Sequence, residues 1–285
     1  MITVFTPSYN REKELKMLYK SLLEQDYFDF EWLIVDDGSI DNTEIAVKEM
    51  INENKINIVY FKQENKGKSK AVNQGIKLAK GEFFLCIDSD DYFIPNVLGT
   101  IANEYESIKN EDDIAGLGFL HWKIDSEDVI GTKFPEDVMI DTYFNIYHLH
   151  KVKGDKQLIF KTEIMREYLF PEIEDEKFVP EALMFNRISK KYKMKFINKA
   201  VVYKNYLENG YSNNYFQLAK RNPKGQVLYY KELYELEPTL YNVAAYEMYS
   251  IFSKKGFFKM INEHPSKFKA ALMFFPALYK AKTKK

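Results

Sequence analysis

The first 90 residues alternate between short apolar runs and stretches with helical spacing, and this alternation restricts the fold more than any other feature. Apolar runs at residues 2–6, 31–35, 56–61 and 83–87 predict four strands. Leu15, Leu18 and Leu22 recur at helical spacing between the first two runs. Strands that alternate with helices form a mostly parallel sheet covered by helices on both faces. The sequence therefore predicts an α/β fold.

Polar clusters follow three of these predicted strands. The first strand ends in residues 6–10 (TPSYN), the second in residues 36–39 (DDGS), and the fourth in residues 88–91 (DSDD). In open α/β sheets, ligands bind beyond the carboxyl ends of the strands. We therefore expect the three clusters to meet at one edge of the sheet and to form a binding site there.

The cluster at residues 88–91 places three carboxylates within four positions: Asp88, Asp90 and Asp91. Like charges at the end of a buried strand are costly unless a cation neutralises them. Carboxylate oxygens suit Mg²⁺ or Mn²⁺, and such ions commonly bridge to substrate phosphates. A metal site is one interpretation, and an ordinary acidic turn is the other.

Four motifs together resemble those of the family 2 inverting glycosyltransferases, which have a GT-A fold. They are residues 6–11 (TPSYNR), 35–39 (VDDGS), 65–68 (NKGK) and 88–91 (DSDD). The resemblance implies a GT-A nucleotide-sugar-binding domain with a mostly parallel, mixed central sheet flanked by helices. We assign this catalytic domain to residues 1–205. Helical spacing beyond it predicts a C-terminal helical extension over residues 206–285.

The resemblance also implies roles for single residues at the edge of the sheet. Asp90 is the expected ligand of Mn²⁺ or Mg²⁺, with Asp88 nearby. Asp37 is expected to accept a hydrogen bond from the uracil N–H, and Tyr9 to stack on the base. The full set of expected donor-binding residues is Thr6, Pro7, Tyr9, Asp36, Asp37, Lys68, Asp88 and Ser89.

The expected catalytic base lies about 90 residues further along the chain. Pro180 begins a predicted helix, Glu181 follows it, and Arg187 stands six residues beyond Glu181. Many family 2 enzymes have a Glu-Asp step at the start of such a helix and an arginine six residues later; here Pro180-Glu181 replaces that step. Glu181 is therefore the expected base, with Asp175 as the alternative. An acidic residue at a helix N-terminus is also favoured by the helix dipole alone.

These features predict transfer of a sugar from a nucleotide-sugar donor, a UDP-sugar, to an acceptor hydroxyl with inversion. By resemblance, the acceptor is a carbohydrate or lipid-linked molecule, and the product belongs to a cell-surface polysaccharide or glycolipid. A sugar nucleotidyltransferase is an alternative, but it usually carries a glycine- and basic-rich loop after the first strand, where this chain has residues 7–11. A non-catalytic nucleotide- or carbohydrate-binding relative is the other alternative, and it would lack the base.

Charge and cysteine content limit the partners and the compartment. The net charge of −1 gives no electrostatic case for binding nucleic acid. The single cysteine, Cys86, cannot form an internal disulfide, which favours a reducing compartment and thus the cytoplasm. No apolar run approaches the ~20 residues that cross a bilayer.

Two segments of the C-terminal extension stand out. Residues 209–213 (NGYSN) resemble a Gly-x-Ser loop that in relatives closes over the donor diphosphate or the acceptor. Residues 266–285 contain six lysines, several apolar residues and no acidic residue. Such a segment suits peripheral contact with an anionic surface at the inner face of the membrane. A packed terminal helix with a basic tail is the alternative interpretation.

Overall fold

The computed structural model describes residues 1–124, 126–204 and 214–283. Its strands are β1 (Ile2–Ser8), β2 (Phe30–Asp36), β3 (Ile58–Lys62), β4 (Phe83–Cys86), β5 (Tyr92–Phe93), β6 (Ile114–Lys123), β7 (Ser126–Val129), β8 (Val138–Asp141), β9 (Lys156–Lys161) and β10 (Lys193–Lys204). Its helices are α1 (Glu12–Leu23), α2 (Thr43–Glu53), α3 (Lys68–Leu78), α4 (Leu98–Glu106), α5 (Tyr143–His148), α6 (Thr162–Glu167), α7 (Glu181–Ser189), α8 (Tyr215–Arg221), α9 (Pro223–Leu236), α10 (Leu240–Phe252), α11 (Phe257–Glu263) and α12 (Lys267–Thr283).

The strands form one mixed sheet in the order β3-β2-β1-β4-β9-β6-β10-β5, with β7 on β6 and β8 on β10. Strands β3, β2, β1 and β4 are parallel to one another. β9 is antiparallel to both β4 and β6, and β10 is parallel to β6. Consequently β10 points in the same direction as β1, β2 and β4. The predicted α/β fold with a mixed sheet flanked by helices is confirmed.

The core of the sheet lies on both of its faces, because alternate side chains of β1 point in opposite directions. On one face Val4 and Trp32 pack with side chains of α1 and α2. On the other face Phe5 stacks on Phe84, with ring centroids 5.0 Å apart. Helix α3 also packs against Phe5 through Gly75, where a Cβ atom would lie 2.1 Å from the phenyl ring. Only glycine allows this close approach.

The chain divides into two compact units. The first comprises residues 1–169 and 187–207, and the second comprises residues 170–186 and 208–285. The expected boundary between residues 205 and 206 falls outside the described residues, so the domain assignment stays a prediction. In the second unit, buried Tyr246 and Tyr249 of α10 pack with residues of α8, α9, α11 and α12. No helix in the described part of the chain has the length and apolar character needed to cross a membrane.

Some elements differ from the sequence prediction. The described part of the helical extension expected over residues 206–285 consists of separate helices, and α9 begins at Pro223 because proline lacks an amide hydrogen and suits the first helical position. Residues 123–150 show no clear period in the sequence, yet they include the short elements β7, β8 and α5.

Candidate functional site

The carboxyl ends of four strands meet at one edge of the sheet, here called the carboxyl edge. The pairing of β1 aligns Ser8 with Asp36 and Phe5 with Cys86, so the segments after β1, β2 and β4 leave the sheet together. β10 points the same way, and its last residue, Lys204, belongs to this edge as well. The predicted convergence of the three polar clusters is confirmed.

Asp36 organises the first two loops of the carboxyl edge. Its buried carboxylate accepts hydrogen bonds from the Ser39 amide at 2.7 Å and from the Tyr60 hydroxyl at 2.5 Å. Burial, together with the Asp36 charge, raises the pKa of Tyr60 well above its usual range. The Asn10 amide donates to Ser39 Oγ at 2.8 Å, and Asn10 Oδ1 accepts from the Ile40 amide at 2.9 Å. These contacts tie the loop after β1 to the loop after β2.

Asp37 holds the turn between β3 and α3. Its Oδ1 accepts from Gln63 Nε2 at 2.7 Å and from the Lys66 amide at 2.8 Å, and its Oδ2 accepts from the Gly67 amide at 2.7 Å. Gly67 has a φ of +94°, a conformation that favours glycine. Helix α3 begins at the next residue, Lys68. The Asp37 carboxylate therefore fixes the position from which Lys68 extends.

Two lysines neutralise two of the three carboxylates after β4. Lys68 Nζ lies 2.6 Å from Asp88 Oδ1, while Lys204 Nζ lies 3.2 Å from Asp88 Oδ2 and 2.9 Å from Asp91 Oδ2. The side chains of Lys204 and Asp91 are 12% and 3% exposed, so this is a buried ion pair. Burial acts to raise the pKa of Asp88, but the two ammonium groups outweigh it and hold that pKa well below its usual range.

Asp90 differs from its neighbours. Burial and the nearby Asp88 charge raise its pKa, and among the described residues it forms no ion pair. No group of three or more His, Cys, Asp or Glu side chains suitable for a metal occurs in the described ranges. Mg²⁺ needs fewer protein ligands than this, since it commonly binds one or two carboxylates together with substrate phosphates and water. Asp90 fits a cation that is shared with a bound diphosphate.

The remaining expected donor residues lie at the end of β1 and in the turn after β4. Buried Thr6 accepts a hydrogen bond from Trp32 Nε1 at 3.0 Å, and Pro7 is the next residue of the strand. Tyr9 is 46% exposed, whereas Ser89 is buried. Donor binding by these residues stays a prediction.

The expected base lies in the second unit. Glu181 is the first residue of α7 and is exposed, and Asp175 is exposed with a φ of +64°. Neighbouring Glu176 is instead buried, and its carboxylate accepts from the backbone amides of Lys224 and Gly225 at the start of α9. The assignment of the base stays a prediction. The expected closing loop at residues 209–213 lies outside the described residues.

Sequence reasoning missed Lys204 and the buried residues beside it. Gln157 Nε2 donates to the carbonyl oxygen of Cys86 at 2.8 Å, and its Oε1 lies 3.4 Å from His121 Nε2. Burial and the positive charge of Lys204 lower the pKa of His121 to about 3, so this imidazole is neutral at physiological pH. One available signal was that Lys204 ends an apolar strand, as Asp36 does.

The profile of "Glycosyl transferase family 2" matches residues 3–166, which is more than half of the 285-residue chain. The chain therefore belongs to glycosyl transferase family 2. It is 37% identical over 120 residues to the glycosyltransferase GlyG of Streptococcus pneumoniae, covering 41% of this chain and 38% of that protein. It is 29% identical over 196 residues to the poly(ribitol-phosphate) β-N-acetylglucosaminyltransferase TarS of Staphylococcus aureus, covering 66% of this chain and 33% of TarS.

Solved structures share the fold. The complex of S. aureus TarS residues 1–349 with UDP-GlcNAc superposes with a TM-score of 0.67 and 20% identity, covering 99% of this chain and 90% of that one. The mannosyltransferase PcManGT from Pyrobaculum calidifontis, in complex with GDP-Man and Mn²⁺, gives a TM-score of 0.58 and 18% identity, covering 99% and 83%. The chain spans only 19–38% of the length of the first three curated relatives it matches.

Proposed function

We propose that this protein transfers a sugar from a UDP-sugar to an acceptor hydroxyl with inversion at the anomeric carbon. The observation that carries the proposal is the carboxyl edge, where the loops after three parallel strands are hydrogen-bonded to one another around Asp36, Asp37 and Asp88. Because these hydrogen bonds already order the loops of the carboxyl edge, the entropic cost of binding a donor is lower. Membership of family 2 and the fold shared with the UDP-GlcNAc complex of TarS support a nucleotide-sugar donor.

One part of the carboxyl edge binds the nucleoside of the donor, and the other binds its diphosphate. Tyr9 stacks on the base, and the Asp37 carboxylate accepts a hydrogen bond from the uracil N–H. The carboxylate already accepts three hydrogen bonds within the protein and has room for a fourth. Thr6, Pro7 and Asp36 shape the loops that carry these two residues. The ammonium groups of Lys68 and Lys204 balance Asp88, which lies with Ser89 on the donor side.

Asp90 is the residue that would hold Mn²⁺ or Mg²⁺. When bound, the cation would neutralise charge on the diphosphate leaving group. The raised pKa of Asp90 reflects burial beside Asp88, and a cation would favour its ionised form. PcManGT, whose solved complex contains Mn²⁺, shares the fold of this chain and supports the proposal.

Inversion follows from a single displacement. The acceptor oxygen forms a bond to the anomeric carbon, the bond from that carbon to the diphosphate oxygen breaks, and the electron pair leaves with UDP. Glu181 takes the proton of the attacking hydroxyl, with Asp175 as the alternative base. This role derives from the family resemblance of the segment around Glu181 and Arg187.

The proposed acceptor is a carbohydrate or lipid-linked molecule of a growing cell-surface polysaccharide or glycolipid. The relative TarS is named for transfer to poly(ribitol phosphate), which supports a cell-surface polymer here. We place the reaction in the cytoplasm, in line with the single cysteine of the chain.

The test begins with a thermal-shift screen of nucleotide sugars in the presence of Mn²⁺, since a bound donor raises the melting temperature by mass action. The selected donor is then incubated with candidate acceptors, and the products are identified by NMR. We expect free UDP and a product of inverted anomeric configuration. Pyrophosphate as the product would instead indicate nucleotidyl transfer, and a retained configuration would contradict single displacement.

Replacement of Glu181 by Gln tests the base. General-base catalysis contributes about 10²–10⁴-fold, so E181Q should lose transfer by that factor while its affinity for UDP is unchanged. Glu174→Gln, a change at an exposed position of the same acidic segment, is the matched control and should retain activity. Normal transfer by E181Q together with loss of transfer in Asp175→Asn would move the base to Asp175.

A further inference from the structure

Helix α12 carries two apolar stripes on opposite sides. One stripe contains Ala270, Met273, Phe274, Ala277 and Ala281 and packs within the clusters that include Tyr246 and Val243 of α10. The second stripe is exposed to solvent. Its side chains and their exposed fractions are Phe268 (79%), Leu272 (58%), Phe275 (75%) and Tyr279 (72%).

The spacing of the second stripe places its members on one face. Positions 268, 272, 275 and 279 follow the i, i+4, i+7, i+11 pattern, which at 3.6 residues per turn aligns them along the helix. The packed stripe lies about 180° around the same helix. Packing against α10 therefore leaves a continuous row of large apolar side chains facing away from the core.

Helix α11 extends this surface. Phe258 is 79% exposed, and its ring lies 5.4 Å from that of Phe257. The ring centroids of Phe257 and Phe274 are 4.6 Å apart, and those of Phe274 and Phe275 are 5.5 Å apart. The rings form a chain of contacts from α11 to α12. We call the exposed residues Phe258, Phe268, Leu272, Phe275 and Tyr279 the aromatic face.

Helix α12, which carries four of the five residues of the aromatic face, is positively charged. Helix α12 contains Lys267, Lys269, Lys280 and Lys282 and no acidic residue. Lys280 Nζ lies 5.2 Å from the ring centroid of Tyr241. At a lipid membrane, lysines that flank an apolar row can reach the lipid headgroups, while the apolar side chains enter the boundary between the headgroups and the acyl chains.

We propose that the aromatic face binds the surface of a membrane that contains anionic lipids. A second copy of this chain is a poorer partner, because a two-fold interface sets the same surface against itself and would bring the α12 lysines together with no acidic residue of that helix to balance them. Anionic headgroups supply the opposite charge. The proposal does not depend on the transfer activity.

Sedimentation with lipid vesicles tests the proposal. We expect the full chain to bind vesicles of phosphatidylcholine with phosphatidylglycerol, to bind pure phosphatidylcholine more weakly, and to dissociate as salt is raised. The double variant Phe268→Ser/Phe275→Ser should bind about tenfold more weakly or worse, because it removes two apolar side chains that would enter the lipid. Its melting temperature should match the wild type, since both rings are exposed.

Phe28→Ser is the matched control, since Phe28 is 70% exposed in the first unit and should not affect vesicle binding. Equal binding of the double variant and the wild type would contradict the proposal, as would absence of wild-type binding to anionic vesicles. A wild-type dimer in sedimentation velocity that the double variant converts to a monomer would assign the aromatic face to self-association and overturn the membrane assignment. Each measurement is independent of sugar transfer, so a failed transferase assay does not affect the result.

Discussion

At the scale of single residues, the three carboxylates after β4 have different environments. Asp88 and Asp91 share the ammonium group of Lys204, and Asp88 also pairs with Lys68. Asp90 forms no ion pair among the described residues, and its pKa is raised by burial and by Asp88. Within the described residues, lysines therefore neutralise two of the three carboxylates, and the third, Asp90, is the one proposed to bind an external cation.

Replacement of Asp90 by Ala tests this difference. In wild-type protein we expect Mn²⁺ to increase the affinity for UDP, and in D90A this increase should fall by roughly tenfold or more because the proposed protein ligand is absent. Calorimetric titration of each protein with UDP, in the presence and in the absence of Mn²⁺, measures this increase in affinity. Asp113→Ala removes the same charge from an exposed residue just before β6, and it should behave as the wild type. An unchanged Mn²⁺ effect in D90A would remove Asp90 from the metal site.

Replacement of Lys204 by Met should destabilise the protein by about 3–5 kcal/mol, because it removes the ammonium group from the buried ion pair with Asp91. Urea denaturation measures the change in the free energy of unfolding. Lys199→Met is the control on the same strand, since Lys199 is exposed and its ammonium group donates to Thr100 Oγ1, and it should cost about 0.5 kcal/mol or less. Equal stability of the two variants would contradict the role assigned to Lys204.

The pH dependence gives a second signature of the Lys204 pair. The pKa of Asp88 in the folded protein is below its ordinary value of 3.8, so its stabilising contribution is present above that value and is lost as pH falls toward the folded pKa. Part of this depression comes from Lys204. The loss of stability below about pH 4 should therefore be smaller in K204M than in the wild type.

At the scale of elements, loops and helix ends are joined by side-chain acceptors. Asp37 joins the end of β2 to the start of α3, and Thr43 at the start of α2 accepts from the Arg11 amide before α1. Glu176 does the same in the second unit, where it accepts from two amides at the start of α9. Glu176 satisfies helix N–H groups that have no partner within the helix, whereas Asp37 and Thr43 accept from amides of residues just before a helix.

Glu176→Ala should leave these two amides without their acceptor in buried surroundings, at a cost of about 1–3 kcal/mol. Hydrogen exchange should report faster exchange at Lys224 and Gly225, and urea denaturation should report the lower stability. Glu174→Ala removes an exposed carboxylate two residues earlier and serves as the control. Exchange in E176A as slow as in E174A would show that Glu176 does not stabilise the start of α9.

At the scale of the whole molecule, average properties conceal local ones. The net charge of −1 is close to neutral, yet residues 266–285 hold six lysines and no acidic residue. The carboxyl edge lies in the first compact unit, whereas Glu181 and the aromatic face both lie in the second. The net charge of the whole chain therefore gives no indication of this lysine-rich segment.

The sequence by itself determined the α/β class, the carboxyl edge and its acidic clusters, because strand and helix periodicity and turn chemistry are local properties. The tertiary structure decided the rest. β10 pairs antiparallel with β5, which aligns Tyr203 with Tyr92, and this pairing brings Lys204 to Asp88, 116 positions away in the chain. Such long-range pairing leaves no periodic signal. Likewise the sequence of α12 contains two apolar stripes, and only packing against α10 decides which of them remains exposed.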